Sequence, residues 1–213
     1  RIGSKPISSI TRRDYQKFIK DFGQTHAKST VSKFNSLLHA CVKDAIYDEV
    51  IKKDFIRSVN LVYDKARTRK IDYLSIQETK QLANYLINTL NPNFTSKYMI
   101  LLAIGTGMRL GEIQGLTWKD INFNFNTISI NKSWNYEKEE FQPTKANSDR
   151  TIRINNTLIE ALKELKPKQS SDMLFKNQYG TIPSSSAVNK ILKESLVNCR
   201  IKHNGFHFHS LRH

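Results

Sequence analysis

The sequence predicts a mainly helical protein with a small antiparallel β-sheet, an α+β fold in which an all-helical N-terminal unit precedes a mixed one. Three observations predict it. Apolar residues recur at helical spacing through most of residues 10–60. A basic stretch at 64–72 breaks that periodicity and runs into a helix-start signal at 74–78. Between 126 and 154 the apolar period changes from 3.6 to 2, and helices then resume. The expected domains are therefore 1–64, a linker at 65–72, and 73–213.

Each element has a local signature. Residues 10–23 read as a helix with Thr11 as N-cap, Asp14 three residues on, a stripe of Tyr15, Phe18, Ile19 and Phe22, and Gly23 as its stop. A longer helix is expected after Ser29 or Thr30, carrying Val31, Phe34, Leu37, Leu38, Cys41, Val42, Ala45 and Ile46 on one face. Ile51, Phe55, Ile56 and Val59 predict one more short helix. Ser75 and Glu78 form a capping-box pattern behind Leu74, which opens the second domain with a helix at 76–89. Helices follow at about 94–105 and 109–116, with Gly105 and Gly107 breaking the chain between them. Strands are expected at 126–134, 140–144 and 150–154, the last two joined by a turn at "KANSD". Helices at 157–166 and 185–197 complete the pattern, and "HNGFHFHSLRH" reads as a loop entering a further helix.

Charge narrows the function. The 213 residues carry a formal net charge of +15, of which +9 falls in residues 1–70. Such a balance suits a polyanionic partner and does not by itself select an activity. Cys41 and Cys199 form no disulfide framework, and no apolar run approaches the ~18 residues of a membrane span. His203, His207, His209 and His213 with Cys199 have the residue types of a zinc site, but closed structural sites draw on two ligand pairs and no second cysteine is near. No metal and no cofactor are expected.

Four residues form a chemically coherent set. Arg109 starts a helix behind a glycine turn, Lys145 sits in the turn between two strands, and His209 and Arg212 are spaced i, i+3. Guanidiniums match the equatorial oxygens of a pentacoordinate phosphorus, and ammonium and imidazole groups move protons. Lys132 and Lys138 are rivals for the place of Lys145, which its turn favours. Lys28, Ser29, Thr30 and Lys33 crowd a helix N-terminus, a ready site for a phosphate, and Lys65, Arg67, Arg69 and Lys70 supply a basic linker.

"TGMRLGEIQGLTWKDI" (106–121), "PTKANSDRTIRI" (143–154) and "HSLRH" (209–213) together resemble the tyrosine recombinase, or phage integrase, family of bacterial mobile elements and phages. "THAKSTVSKFNSLLHACVKDAI" (25–46) is similar to the core-binding domain of such integrases. The resemblance implies a core-binding domain followed by a catalytic domain, and site-specific recombination through a 3′-phosphotyrosine link. It implies no cofactor, a double-stranded DNA partner, self-association on that DNA, and a cytoplasmic, DNA-associated location. By the same resemblance Arg109 and Arg212 bind the scissile phosphate and Glu112 organises the site. Lys145 is the general acid toward the leaving 5′-hydroxyl, and His209 assists proton transfer. The family's tyrosine nucleophile follows its His-x-x-Arg pair, whereas none of the eight tyrosines here does, and the chain begins at Arg1 and stops at His213 within a patterned stretch. The expectation is a fragment, truncated at its C-terminal end and inactive in strand cleavage. A non-catalytic DNA-binding protein that keeps the recombinase fold is the alternative.

Overall fold

The computed structural model describes residues 2–68, 72–145, 148–166, 171–203 and 205–212. The chain divides into two compact units, Arg1–Lys70 and Ile71–His213, each with its own hydrophobic core. Arg69, Lys70 and His213 lie outside the described residues.

The first unit is built on α1 (Arg12–Gly23) and α2 (Lys28–Tyr47). α1 starts as expected, with a reciprocal cap: the Asp14 N–H donates to Thr11 Oγ1 at 3.2 Å, and the Thr11 N–H donates to the Asp14 carboxylate at 3.0 Å. Its stripe buries Tyr15 and Ile19, while Phe18 and Phe22 stack toward Phe34 of α2 with ring centroids 5.7 and 4.8 Å away. Gly23 is not the stop that its position implied. It stays helical, and its role is close approach: a Cβ there would sit 1.8 Å from the Val62 carbonyl oxygen. α2 begins earlier than expected, so Ser29 and Thr30 lie inside its first turn, and Ala27 at the N-cap offers no side-chain acceptor.

The short helix expected over 51–59 does not form. Ile51, Phe55 and Ile56 are buried as the spacing required, but the backbone turns instead of coiling. Asp54 Oδ1 takes the N–H groups of both Ile56 and Arg57 at 2.9 Å, and Ser58 adopts φ 60°. A side chain that captures nearby N–H groups competes with the helical ladder, and a left-handed residue ends it.

In the second unit α3 (Ile76–Asn88) carries the expected Ser75–Glu78 capping box. α4 (Ser96–Thr106) is the centre of the core. Tyr98 through Ala103 are all buried, the pattern of a helix with no solvent face. α3, α5 (Leu110–Gln114), α6 (Asn156–Lys163) and α7 (Ser185–Asn198) pack around it. Gly105 continues α4, contrary to the expectation that both glycines break it, and only Gly107 turns the chain, at φ 63°.

The strands are β1 (Ile121–Asn122), β2 (Thr127–Ile130), β3 (Ser133–Asn135), β4 (Glu140–Gln142) and β5 (Arg150–Arg153). The run expected at 126–134 is two strands, and β4 and β5 are not hairpin partners. β2 pairs β5 in a β1-β2-β5 sheet, and β3 pairs β4 separately. The pairings nest, Ile130 with Arg150 and Ser133 with Gln142. One arm thus crosses from sheet to sheet through residues 131–132 and the other through 143–149. The second arm is the longer, and Lys145 lies on it. Local alternation shows that segments are extended and leaves open which of them pair. Among the described residues, no helix is long and apolar enough to cross a membrane.

Candidate active site

The site is assembled around a buried carboxylate. Gly107 ends α4 in a left-handed turn, its N–H donating to the Ala103 carbonyl at 2.8 Å, and Met108 plugs into the core. Arg109 then occupies the N-cap of α5. Its N–H donates to Glu112 Oε2 and its guanidinium Nη1 to Glu112 Oε1, both at 2.9 Å. Glu112 is 2% exposed.

A second arginine, which the sequence motifs did not single out, grips the same carboxylate. Arg150, the first residue of β5, donates from Nη2 to Glu112 Oε2 at 2.7 Å and from Nη1 to Oε1 at 3.3 Å. Burial alone would push the Glu112 carboxyl up. The Arg150 guanidinium and the Arg109 N–H and guanidinium together outweigh it and hold the carboxyl below its ordinary range. Arg212 lies within the field of this cluster. Burial lowers its pKa first, the Arg109 charge lowers it further, Glu112 opposes, and Arg150 adds to the depression. Two guanidiniums on one carboxylate, with Arg212 in their field, leave positive charge uncompensated, and the Arg109 and Arg150 side chains keep 38% and 33% of their surface exposed against 1% for Glu112. An anion can reach Arg109.

His209 and Arg212 lie on the final 3-10 turn, Phe208–Arg212, where the sequence implied the start of a further helix. With three residues per turn, positions i and i+3 align on one side, so the pair shares a face. Phe208 and Ser210 are buried and anchor the turn, and the Phe208 N–H donates to Asn189 Oδ1 of α7 at 2.8 Å. The His209 ring is exposed, 6.4 Å from that of His207.

Lys145 is exposed on the 143–149 crossing. Its rivals are committed elsewhere. Lys132 donates to Asp120, itself buried, with one contact of 2.6 Å, and Lys138 lies 3.7 Å from Glu140. The structure therefore joins Arg109 and Arg150 through Glu112, sets Arg212 within their field with His209 on the same turn, and leaves Lys145 between β4 and β5. In the first unit Lys28, Ser29, Thr30 and Lys33 are exposed along the start of α2, with Lys28 Nζ 5.6 Å from the Tyr63 ring centre. Lys65 and Arg67 are exposed on a short 3-10 turn, where Arg67 Nε lies 3.6 Å from Asp64.

His203, weighed above as a zinc ligand, is an ion-pair centre. Nδ1 meets Asp72 Oδ1 at 2.7 Å and Nε2 meets Glu78 Oε1 at 3.1 Å. Both contacts are hydrogen bonds only when both nitrogens carry protons, as in the imidazolium. Burial pulls the His203 pKa down, but Asp72 and Glu78 outweigh it, and the folded value is raised. Stability from this group is therefore complete below the unfolded value of about 6.5 and lost as pH rises through the folded value. Glu78, depressed mainly by the Ser75 N–H and hydroxyl, contributes above its own unfolded value and loses that contribution on acidification. The expected result is that His203→Ala lowers the melting temperature at pH 6 by about 2–4 °C, for roughly 1 kcal/mol in a unit of this size, and has little effect at pH 9. A deficit independent of pH would show that His203 acts by packing alone.

Comparison with known proteins matches this sequence to a family. The sequence model of the phage integrase family matches residues 72–213. A XerC-like tyrosine recombinase of Caldanaerobacter subterraneus subsp. tengcongensis is 25% identical across 97% of this chain and 59% of its own length. The integrase of Staphylococcus phage L54a is 21% identical across 97% of this chain and 67% of its own. The chain thus spans about 59–67% of these relatives. Among solved structures, the Tn1549 transposon integrase in complex with a circular intermediate DNA superposes with a TM-score of 0.79, at 20% identity, over 100% of this chain and 73% of that one. A lambda integrase dimer bound to a COC′ core site gives 0.67, at 17% identity, over 97% and 72%. These likenesses establish the fold.

Proposed function

The chain belongs to the phage integrase family, and from that membership we propose that it is the DNA-binding and phosphate-activating part of a site-specific recombinase that cuts and rejoins duplex DNA through a 3′-phosphotyrosine link. The observation that carries the proposal is the Arg109–Glu112–Arg150 cluster with Arg212 in its field. The Arg109 guanidinium, held in place by a buried carboxylate that Arg150 also anchors and with an open face toward solvent, suits charge that builds on the phosphate oxygens during attack.

In the proposed step a tyrosine oxygen forms a bond to phosphorus and gives up its proton, with His209 assisting its passage to solvent. The bond from phosphorus to O5′ breaks, and the departing oxygen takes a proton from the Lys145 ammonium. None of the tyrosines before His209 stands where the family's nucleophile follows its His-x-x-Arg pair. Tyr15 and Tyr98 are buried, and burial pushes the Tyr15 phenol up to about 12, away from nucleophilic ionisation. We place the attacking oxygen on a tyrosine farther along the protein. Exchange of one phosphodiester for another conserves bond energy and needs no cofactor. The first unit, with Lys28, Ser29, Thr30 and Lys33, and the basic stretch of Lys65, Arg67, Arg69 and Lys70, supply phosphate contacts that set register on the duplex. Recombination joins two DNA sites, so copies of the protein associate on DNA.

A nicked, labelled suicide duplex tests this reading. Residues 1–213 should bind it with an affinity that falls steeply with salt and give no covalent band on a denaturing gel. A chain continuing through the downstream tyrosine should give one. A covalent band from residues 1–213 would assign the attack to a residue within them, and no band from the longer chain would remove the recombinase reading.

A further inference from the structure

We infer that Arg150 is a positioning residue for Lys145, and that Glu112 is the joint through which one guanidinium couples the proton-donating loop to the phosphate-binding helix. The inference rests on the recombinase reading above and deepens it.

Lys145 lies between the end of β4 and the start of β5, and it needs fixed feet on either side if it is to arrive at one place. The first foot is Thr144, buried to 3% exposure immediately before Lys145. The second is Arg150, where β5 begins opposite Ile130. The feet are drawn toward each other: Thr144 Oγ1 donates to Asp149 Oδ1 at 3.4 Å, and Ser148 Oγ donates to the Lys145 carbonyl at 3.4 Å. These are long, weak contacts between neutral or exposed groups. The charged anchor is Arg150, whose two Nη atoms engage the two oxygens of Glu112. A two-pronged contact between a guanidinium and a carboxylate fixes orientation as well as distance. Glu112 is in turn fixed by α5, because its Oε2 accepts the Arg109 N–H.

The two halves of the chemistry therefore share one carboxylate. Arg109 reaches it from three residues upstream on α5, and Arg150 reaches it from the ribbon, thirty-eight residues on. If the Arg150 anchor is cut, α5 and its arginine keep their local cap, while the foot of the Lys145 loop loses its only charged tie among the described residues. The defect should fall on proton donation to the leaving oxygen, and less on stabilisation of phosphate charge. That separates a positioning role for Arg150 from a third phosphate-binding guanidinium.

A substrate with sulfur in place of the bridging 5′ oxygen reads the difference. When its bond to phosphorus breaks, sulfur departs as a thiolate, which at a pKa near 8.5 needs no proton from Lys145, whereas an alkoxide does. The protein carrying its tyrosine is assayed in single turnover on both duplexes. Arg150→Ala should slow cleavage of the ordinary duplex by about 100-fold, the scale of an ångström misplacement, and cleave the sulfur duplex within a few-fold of the parent. Lys145→Ala should show the same pattern, and Arg109→Ala should be slow on both. Arg150→Lys keeps the charge opposite Glu112 but not the fork. It should be intermediate on the ordinary duplex, and it carries the test if the alanine variant unfolds. Equal slowing on both duplexes, or none on either, overturns the inference. A parent that cleaves neither removes the recombinase reading itself.

Discussion

Replacing Glu112 by glutamine is expected to destabilise the second unit by about 3–5 kcal/mol, the scale of breaking a buried ion pair from one side. The carboxylate is 2% exposed and is the common partner of Arg109 and Arg150, with Arg212 in the same field. Glutamine preserves the shape and one acceptor oxygen but leaves the guanidiniums repelling one another without a counter-charge. A lowered folded-state pKa means that this stabilisation is present above the unfolded glutamate value and lost as pH falls through the folded one, so the acid limb of the parent's stability curve should flatten in the variant. The measurement is denaturant unfolding of residues 1–213, repeated with added sulfate. Because the vacancy left by the carboxylate is cationic, sulfate should restore part of the loss. A variant as stable as its parent would mean that the guanidiniums do not depend on Glu112.

Arg109→Lys should bind DNA nearly as tightly as the parent and cleave it about 100–1,000-fold more slowly, the usual effect of removing one donor aimed at developing charge. The backbone N–H that caps Glu112 is untouched by the change, so α5 should keep its start. What is lost is the planar fork. Arg109 commits Nη1 to Glu112 and, with 38% of its side chain exposed, presents its other donors to an incoming phosphate. A lysine has a single nitrogen, and the buried carboxylate competes for it. Ground-state binding, spread over many phosphate contacts, should hardly register the change, whereas a contact that strengthens only as charge builds should dominate the rate. Single-turnover cleavage of a nicked duplex, with affinity measured in parallel, checks it. Equal cleavage rates would remove Arg109 from the reaction.

The candidate site was half legible before any coordinates. Arg109 and Glu112 announce themselves because they are three residues apart at a helix start behind a glycine turn, and an N-cap with its N3 partner is a local object. His209 and Arg212 are legible for the same reason. Arg150 is not. In sequence it is one polar residue opening a strand, and nothing near it in the chain points to Glu112, thirty-eight residues earlier. His203 is a second case: the sequence argues against a zinc site there but does not point to Asp72 and Glu78, which arrive from the far end of the unit.

The same division runs through the fold. The sequence by itself determined where helices start, at the Thr11–Asp14 and Ser75–Glu78 caps, that α4 has no solvent face, and that strands lie within residues 126–154. Each is a matter of neighbours within one turn or of a side-chain period, and needs no distant partner. Only the tertiary structure decided that Ile51–Val59 turns without coiling, that β2 pairs β5 around an inner β3–β4 ribbon, and that Arg150 and Arg109 meet on one carboxylate. These depend on which surfaces are brought together when apolar area is buried. A polar group's partner is then chosen by what lies within about 3 Å after collapse, whatever its separation along the chain.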